Sequence, residues 1–369
     1  MEDRILEPKI MNRLILIGNG FDLAHGLKTS YKDFLTDYLF CCINSFYKNK
    51  EYKDPLLEIS YVHSGTVFAP KTVESSFQIL IDEIKMFETS KLISVKYKSV
   101  FFKDLITNFV DLNWVDFENE YFNALKKCKS NSEFNYHNVI SLNNEFEFIK
   151  GKFEQYLYQL QGLVGKVPEI YKFANIFCED IKASEIVTYS LEKDVKPNRL
   201  YVLNFNYTST VTESYNRCNR NFNIDVNFIH GELCQSDNPI IFGFGDEYDK
   251  DYKEFENHKN NSLFKHIKSF NYFKTRNYHD LVRFTDNDDF QVYIIGHSCG
   301  LSDRTMLKQI FEHEKCKSIK IFHYNRTDGT NDYTEKTYEI ARHFTDKGLM
   351  RKKIVPFNKF DCMPQKKVK

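Results

Sequence analysis

The chain has 369 residues, 42% hydrophobic and 28% charged, an ordinary globular balance that suits one large α/β domain or a domain with a sizeable insertion. Lys plus Arg and Asp plus Glu both total 51, so the net charge is zero and nucleic-acid binding by bulk electrostatics has no support, leaving only a local patch open. No run of about 18 apolar residues appears, so no membrane span is expected, and the 34 Phe and 23 Tyr predict an aromatic-rich core.

The leader, residues 1–10, is charged and lacks the apolar stretch of a secretory signal. The nine cysteines are scattered, without CxxC spacing, and read as reduced thiols, so a cytoplasmic location is expected. Next comes Asn12-Arg13-Leu14-Ile15-Leu16-Ile17, a short apolar run that stops at a glycine turn. A strand buried on both faces reads this way, and such strands belong to parallel sheets. Helical periodicity follows in Phe34 to Phe46, in Phe77 to Phe87 and in Phe146 to Val164. Residues 31–195 therefore read as mainly helical, with no convincing strand until the end.

Strand-like runs return at Leu200 to Phe205, Ile224 to Ile229, Pro239 to Phe244, Phe290 to Ile295 and Ser318 to Tyr324. Helical stretches, including Asp303 to His313 and Thr334 to Phe344, lie among them. Strands alternating with helices imply a mostly parallel sheet. The expected fold is α/β: a Rossmann-like, mostly parallel sheet formed by residues 11–30 and 196–369, with a long, mainly helical insertion, 31–195, after the first strand. An insertion of this size can cap a ligand site or serve association, so a homo-oligomer is one expectation. The basic end, 365–369, reads as a solvated tail.

The candidate site begins at Gly18-Asn19-Gly20-Phe21-Asp22. A turn between a buried strand and a helix presents backbone N–H groups and the helix dipole to an anion, and glycine permits close approach. Neither the dinucleotide fingerprint GxGxxG nor a Walker pattern is present. A turn needed only for strand–helix packing is the competing reading, and Asp22 could either cap the next helix or accept from a ribose hydroxyl. Later strand ends carry Asn204-Phe205-Asn206-Tyr207-Thr208, Ile229-His230-Gly231 and Gly296-His297-Ser298-Cys299-Gly300. Open α/β sheets bind ligands at this edge, and a histidine there can exchange protons near neutral pH.

The last of these motifs is also GxSxG, the nucleophile elbow of α/β-hydrolases. Asp328 or Asp332 with His343 would complete a Ser298 triad in that reading. Asp116 and Glu120, one turn apart, could orient a substrate, although a charged helix N-terminus accounts for them equally simply. The histidines show no metal-ligand spacing, so no metal is expected.

Taken together, these motifs resemble the AbiH family of bacteriophage abortive infection proteins. The resemblance runs from Ile17-Gly18-Asn19-Gly20-Phe21-Asp22 with the trailing Thr29-Ser30-Tyr31-Lys32-Asp33-Phe34, through Trp114-Val115-Asp116-Phe117-Glu118 and the strand ends above. It closes on Ile241-Phe242-Gly243-Phe244-Gly245-Asp246-Glu247 and Gly296-His297-Ser298-Cys299-Gly300. It implies phage defence. A more distant similarity is to sirtuin-like NAD-binding domains, some of which degrade NAD in bacterial defence. That similarity implies catalytic roles for Asn206 and His230, and nucleotide contacts for Gly18, Asn19, Gly20, Phe21, Asp22, Gly296 and Ser298. NAD is the expected substrate, the nicotinamide–ribose bond the expected target, and a phage-derived trigger the expected partner. The chain departs from that pattern in Thr208, where related effectors often carry Asp, and in Asp22, where sirtuins usually carry Ser. A serine hydrolase and a non-catalytic nucleotide sensor are the alternatives.

Overall fold

The computed structural model of the chain describes residues 10–62, 76–112, 116–130, 133–164, 170–188, 191–216, 224–245 and 247–365. The leader before Ile10, Asn113-Trp114-Val115 of the acidic cluster, Asp246 and the tail beyond 365 lie outside these residues.

The described residues form ten strands in chain order: β1 (Met11–Ile17), β2 (Glu51–Lys53), β3 (Leu57–Tyr61), β4 (Ile93–Tyr97), β5 (Lys129–Ser130), β6 (Glu133–Phe134), β7 (Leu200–Asn204), β8 (Ile224–Phe228), β9 (Asp289–Ile295) and β10 (Cys316–Phe322). Five of them form an all-parallel sheet in the order β10-β9-β1-β7-β8. Every residue of β1 is buried, because helices cover both faces. Leu14 and Leu16 point into a cluster with Leu281 and Phe284 of the helix Asn277–Asn287, and with Leu307 and Ile310 of Arg304–Glu312. Ile15 and Ile17 point the other way, onto Phe21, Phe173 and Phe177. This alternation is the period-2 pattern of a pleated strand.

Register decides where the site can be. Ile17 pairs with Asn204 and with Ile295, Asn204 with Phe228, and Ile295 with Phe322. The strands therefore end level, and the residues that follow them share one rim. The chain runs outward from β1 through β7 to β8, then returns to the other side of β1 for β9 and β10. That reversal opens a crevice beside the end of β1, where such sheets bind ligands.

The segment between β1 and β7 contains the expected helices Tyr31–Asn49, Phe77–Thr89 and Tyr136–Gln161. Ser30 and Asp33 form a reciprocal capping box that starts the first of them. The expectation of no strand in this segment is corrected: β2, β3 and β4 make an antiparallel sheet, and β5 pairs with β6. Their alternation, as in Leu57-Glu58-Ile59-Ser60-Tyr61, is that of half-buried strands.

The strand expected over Pro239 to Phe244 is also corrected. The segment makes only an isolated bridge from Phe244 to Ile267. Phe242 stacks on Phe146 at 4.9 Å and Phe244 on Phe122 at 3.8 Å, so the helical layer holds it instead. A Cβ on Gly243 would fall 2.0 Å from the His266 carbonyl oxygen, which is why glycine stands there. The apolar cluster of the helical segment accordingly extends past 195 to Tyr207, Leu233, Phe255 and Ile267. Among the described residues no helix is long and apolar enough to cross a membrane, and the described cysteines form no disulfide.

Candidate functional site

The level strand ends and the helical layer above them enclose a cavity of about 460 Å³, within the size range of small-molecule sites. Gly18, Asn19, Gly20 and Asp22 after β1, Asn206 after β7, His230 after β8, and Gly296 and Ser298 after β9 all line it. Phe21 does not: its ring is fully buried 4.7 Å from Phe173, on one face of the sheet. The helical layer adds Tyr31, Asp116, Glu118, Phe153 and Leu157.

At the floor, two turns lie directly on each other. Gly18 N donates to the Ile295 carbonyl at 3.3 Å, and Gly20 N to the Gly296 carbonyl at 2.8 Å. A Cβ on Gly18 would meet His297 Cα at 2.6 Å, and one on Gly20 would meet Gly296 Cα at 2.8 Å. The glycines thus permit turn-on-turn packing, and these two amides are spent within the protein. Asn19 and Asp22 are the side chains the turn offers to the cavity.

Asn206 fixes this floor to β7, its Nδ2 donating to the Gly18 carbonyl at 3.0 Å. Asp22 does not cap its helix: the N-cap is Gly18, with no side-chain cap bond. Asp22 Oδ2 accepts from Thr208 Oγ1 at 2.6 Å, while its buried Oδ1 has no partner. Burial raises its pKa to about 6, against the opposing hydrogen bonds of Thr208, Thr210 and Asn206.

A chain of buried charge runs along another part of the wall. Lys268 Nζ, fully buried, lies 2.8 Å from both Glu118 Oε2 and Asp303 Oδ1. His230 Nε2 lies 3.1 Å from the same Asp303 oxygen and 3.2 Å from the Tyr272 hydroxyl. Glu118 Oε1 accepts from Gly243 N at 3.0 Å. Burial opposes ionisation of Asp303, but Lys268 and His230 outweigh it and hold this acid well below the usual carboxylate range. Burial, assisted by Asp116 and Asp303, raises Glu118 despite Lys268. His230 is lowered by burial and then by Lys268, and burial takes His297 down to about 3. Two neutral imidazoles beside an ionised Asp303 are the state these surroundings favour near neutral pH.

Asp116 Oδ1 accepts from Glu118 N at 3.0 Å and Asn119 N at 3.3 Å, capping the helix Phe117–Lys127, and it also lines the cavity. Glu120 instead accepts from Asn108 at 2.9 Å and is not part of the lining. Ser298 has no assembled triad around it. His343 Nε2 lies 2.8 Å from the Cys299 carbonyl, Asp328 accepts from Thr330, and Asp332 faces Lys336 at 3.5 Å. Among the described residues no group of three or more His, Cys, Asp or Glu side chains could hold a metal ion.

Sequence reasoning missed Asp303, Lys268 and Glu118 as site residues. Asp303 closes the stretch that begins at Gly296, and Glu118 sits between the two acids it did single out; Lys268 carries no local signal at all.

The model of the family described as bacteriophage abortive infection AbiH matches residues 14–325, which span the whole rim and its charged wall. The chain belongs to the AbiH family. It is thereby an abortive-infection protein of phage defence. No curated protein matches this AbiH-family chain.

Proposed function

We propose that this AbiH-family protein binds a nucleotide, NAD, at the rim of its parallel sheet and hydrolyses the nicotinamide–ribose bond once infection triggers it. The proposal treats the sheet as Rossmann-like and its rim as sirtuin-like. The observation that carries it is the convergence of Asn19, Asn206, His230 and Ser298, from four different strand ends, on one cavity walled by buried acids.

Cleavage of this bond passes through oxocarbenium-like charge on the ribose, as glycoside cleavage does. Nicotinamide is already cationic and departs neutral, so the site needs no strong acid. It needs a fixed ribose, a placed water and negative charge near the ring. Asn206, anchored on the Gly18 carbonyl, orients the ribose or the water. His230, held beside Asp303, bonds a ribose hydroxyl or takes a proton. Asn19, Asp22, Gly296 and Ser298 contact the nucleotide. Loss of NAD in the cytoplasm then halts phage replication.

NAD, nicotinamide and ADP-ribose measured in phage-infected cells test the reading. Wild type depletes NAD, and His230→Ala slows the depletion by about 10² to 10⁴-fold, the usual weight of general acid–base help. NAD left intact by wild type throughout infection, or consumed as fast by His230→Ala, overturns it.

A further inference from the structure

Among the described residues Asp22 is the only carboxylate with a buried oxygen that lacks a partner. The side chain is 1% exposed and lines the cavity, with Thr210 and Asn206 beside it, so a group bound in the cavity is placed to supply the partner that oxygen lacks. A buried acceptor left unmade is costly, and the helix does not use it as a cap. Thr208 Oγ1 holds the other oxygen at 2.6 Å and lies 3.0 Å from Thr210 Oγ1, which fixes the carboxylate in place. The residue that replaces the more frequent Asp after β7 is therefore the one that supports Asp22.

We propose that Asp22 is the base that takes the proton from the attacking water, a catalytic residue in addition to Asn206 and His230. This rests on the NAD reading above. The water oxygen forms a bond to ribose C1′ while the C1′–nitrogen bond breaks. That electron pair returns to the nicotinamide ring and cancels its positive charge. The water's proton passes to Asp22 Oδ1 and is later released to solvent. ADP-ribose and neutral nicotinamide leave.

The groups facing Asp22 are Thr208, Thr210 and Asn206 from the segment after β7, and His25 follows on its own helix. Lys32, Asp116, Glu118, His230, His297, Asp303 and Lys336 share the cavity. The behaviour of Asp22 is set by burial first and then by the three hydrogen-bonding neighbours, with no charge among the causes. A base must be ionised to act, so the rate should climb as pH rises through about 6.

The test follows NAD consumption by the purified full chain, alone and with clarified lysate of phage-infected cells, over pH 5 to 8, with His230→Ala as the lysate control. Asp22→Asn keeps the shape; it is expected to lower kcat by about 10² to 10⁴-fold with little change in KM, and to abolish the acidic limb. Thr208→Val removes a bond that favours the ionised carboxylate, so its limb moves to higher pH. Should Asp22→Asn fail to fold, the Thr208→Val profile decides alone, and an unmoved limb overturns the base. Wild-type turnover matched by Asp22→Asn, with the limb retained, removes the base and leaves the NAD reading standing. A wild type that never consumes NAD removes the reaction itself and the base with it.

Discussion

Two networks of buried charge stand out among the described residues, and they differ in one respect. The first lies on the sheet face shared with Ile15 and Ile17. Arg13 donates to the Phe177 and Glu179 carbonyls at 2.8 and 2.6 Å and to Gln291 at 3.2 Å, and its guanidinium lies 4.0 Å from the Tyr293 ring. Lys320 faces Glu179, Glu185 and Asp361 at 2.9, 3.0 and 3.3 Å. None of these residues lines the cavity at the strand ends. The second network is Lys268 with Glu118, Asp303 and His230; its two acids and its histidine line the cavity, in company with an Asp22 oxygen that the protein leaves unmatched. Burial and charge are common to both. What separates them is the cavity: the first network, with Arg13 Nε as its unmatched atom, lies away from it, whereas the second borders it beside the unmatched Asp22 oxygen, where a ligand can be met.

Removing the cation from each network is the strongest way to break that comparison. Lys320→Met leaves three acids without their cation, and Lys268→Met leaves two. Breaking a buried pair this way costs about 3–5 kcal/mol, measurable as a lower midpoint of urea unfolding. The variants should then part company. The folded fraction of Lys320→Met keeps wild-type NAD consumption, whereas Lys268→Met loses it, since Glu118 and Asp303 then repel each other across the site wall. Lost turnover in folded Lys320→Met would make the first network functional and the comparison wrong.

The cavity floor offers a smaller effect. Gly296 has φ +70°, and a Cβ there would lie 2.3 Å from Phe21 N; Gly329 has φ +86° with nothing within 4 Å. Gly329→Ala is expected to cost only the left-handed penalty of about 1–2 kcal/mol. Gly296→Ala adds overpacking to the same penalty, for a total of about 3 kcal/mol. Equal unfolding midpoints for the two variants would mean that the stacked turns can separate, and that the floor is not the rigid platform its contacts imply.

The strand ends of this floor were legible in the sequence because they combine two strong local signals. A continuous apolar run marks a strand buried on both faces, and small or polar residues immediately after it mark the rim; β1 and β7 carry both and β9 nearly so, whereas β8, with Asp225 and Asn227, and β10, with Lys317 and Lys320, are edge strands whose apolar residues alternate with polar ones. Pro239 to Phe244 imitates the first signal, yet its rings serve an aromatic layer assembled from distant helices. Alternation in Leu57–Tyr61 and Ile93–Tyr97 was outweighed by the helical periodicity around it. The charged wall was harder to read for a different reason. Lys268, Glu118 and Asp303 meet across sequence separations of 150 and 35 residues. Nothing near Lys268 in sequence distinguishes it from a solvated lysine. Burial made by tertiary contact gives such a residue its role, and no local pattern encodes that.

The smallest effect concerns acid, and it again divides the two networks. The cavity side holds His297, buried and lowered from 6.5 to about 3, with Nδ1 accepting from Cys299 N at 3.0 Å. The Arg13–Lys320 network has no histidine among the residues named above. A base whose folded pKa is depressed stays neutral in the native state while the unfolded chain takes up the proton. Its contribution is therefore complete above about 6.5 and is lost as pH falls toward 3. At pH 5 the loss from His297 alone is about 2 kcal/mol. Asp22 runs the opposite way: with its pKa raised to about 6, its contribution is largest in acid and fades as pH rises through that value. His297→Asn places a carbonyl oxygen near the former Nδ1 and removes the titration. The unfolding free energy of wild type should thus fall by about 2 kcal/mol relative to that of His297→Asn between pH 7 and pH 5. A difference that stays constant between the two pH values would mean that water reaches this imidazole, and that the cavity wall is wetter than its buried charges suggest.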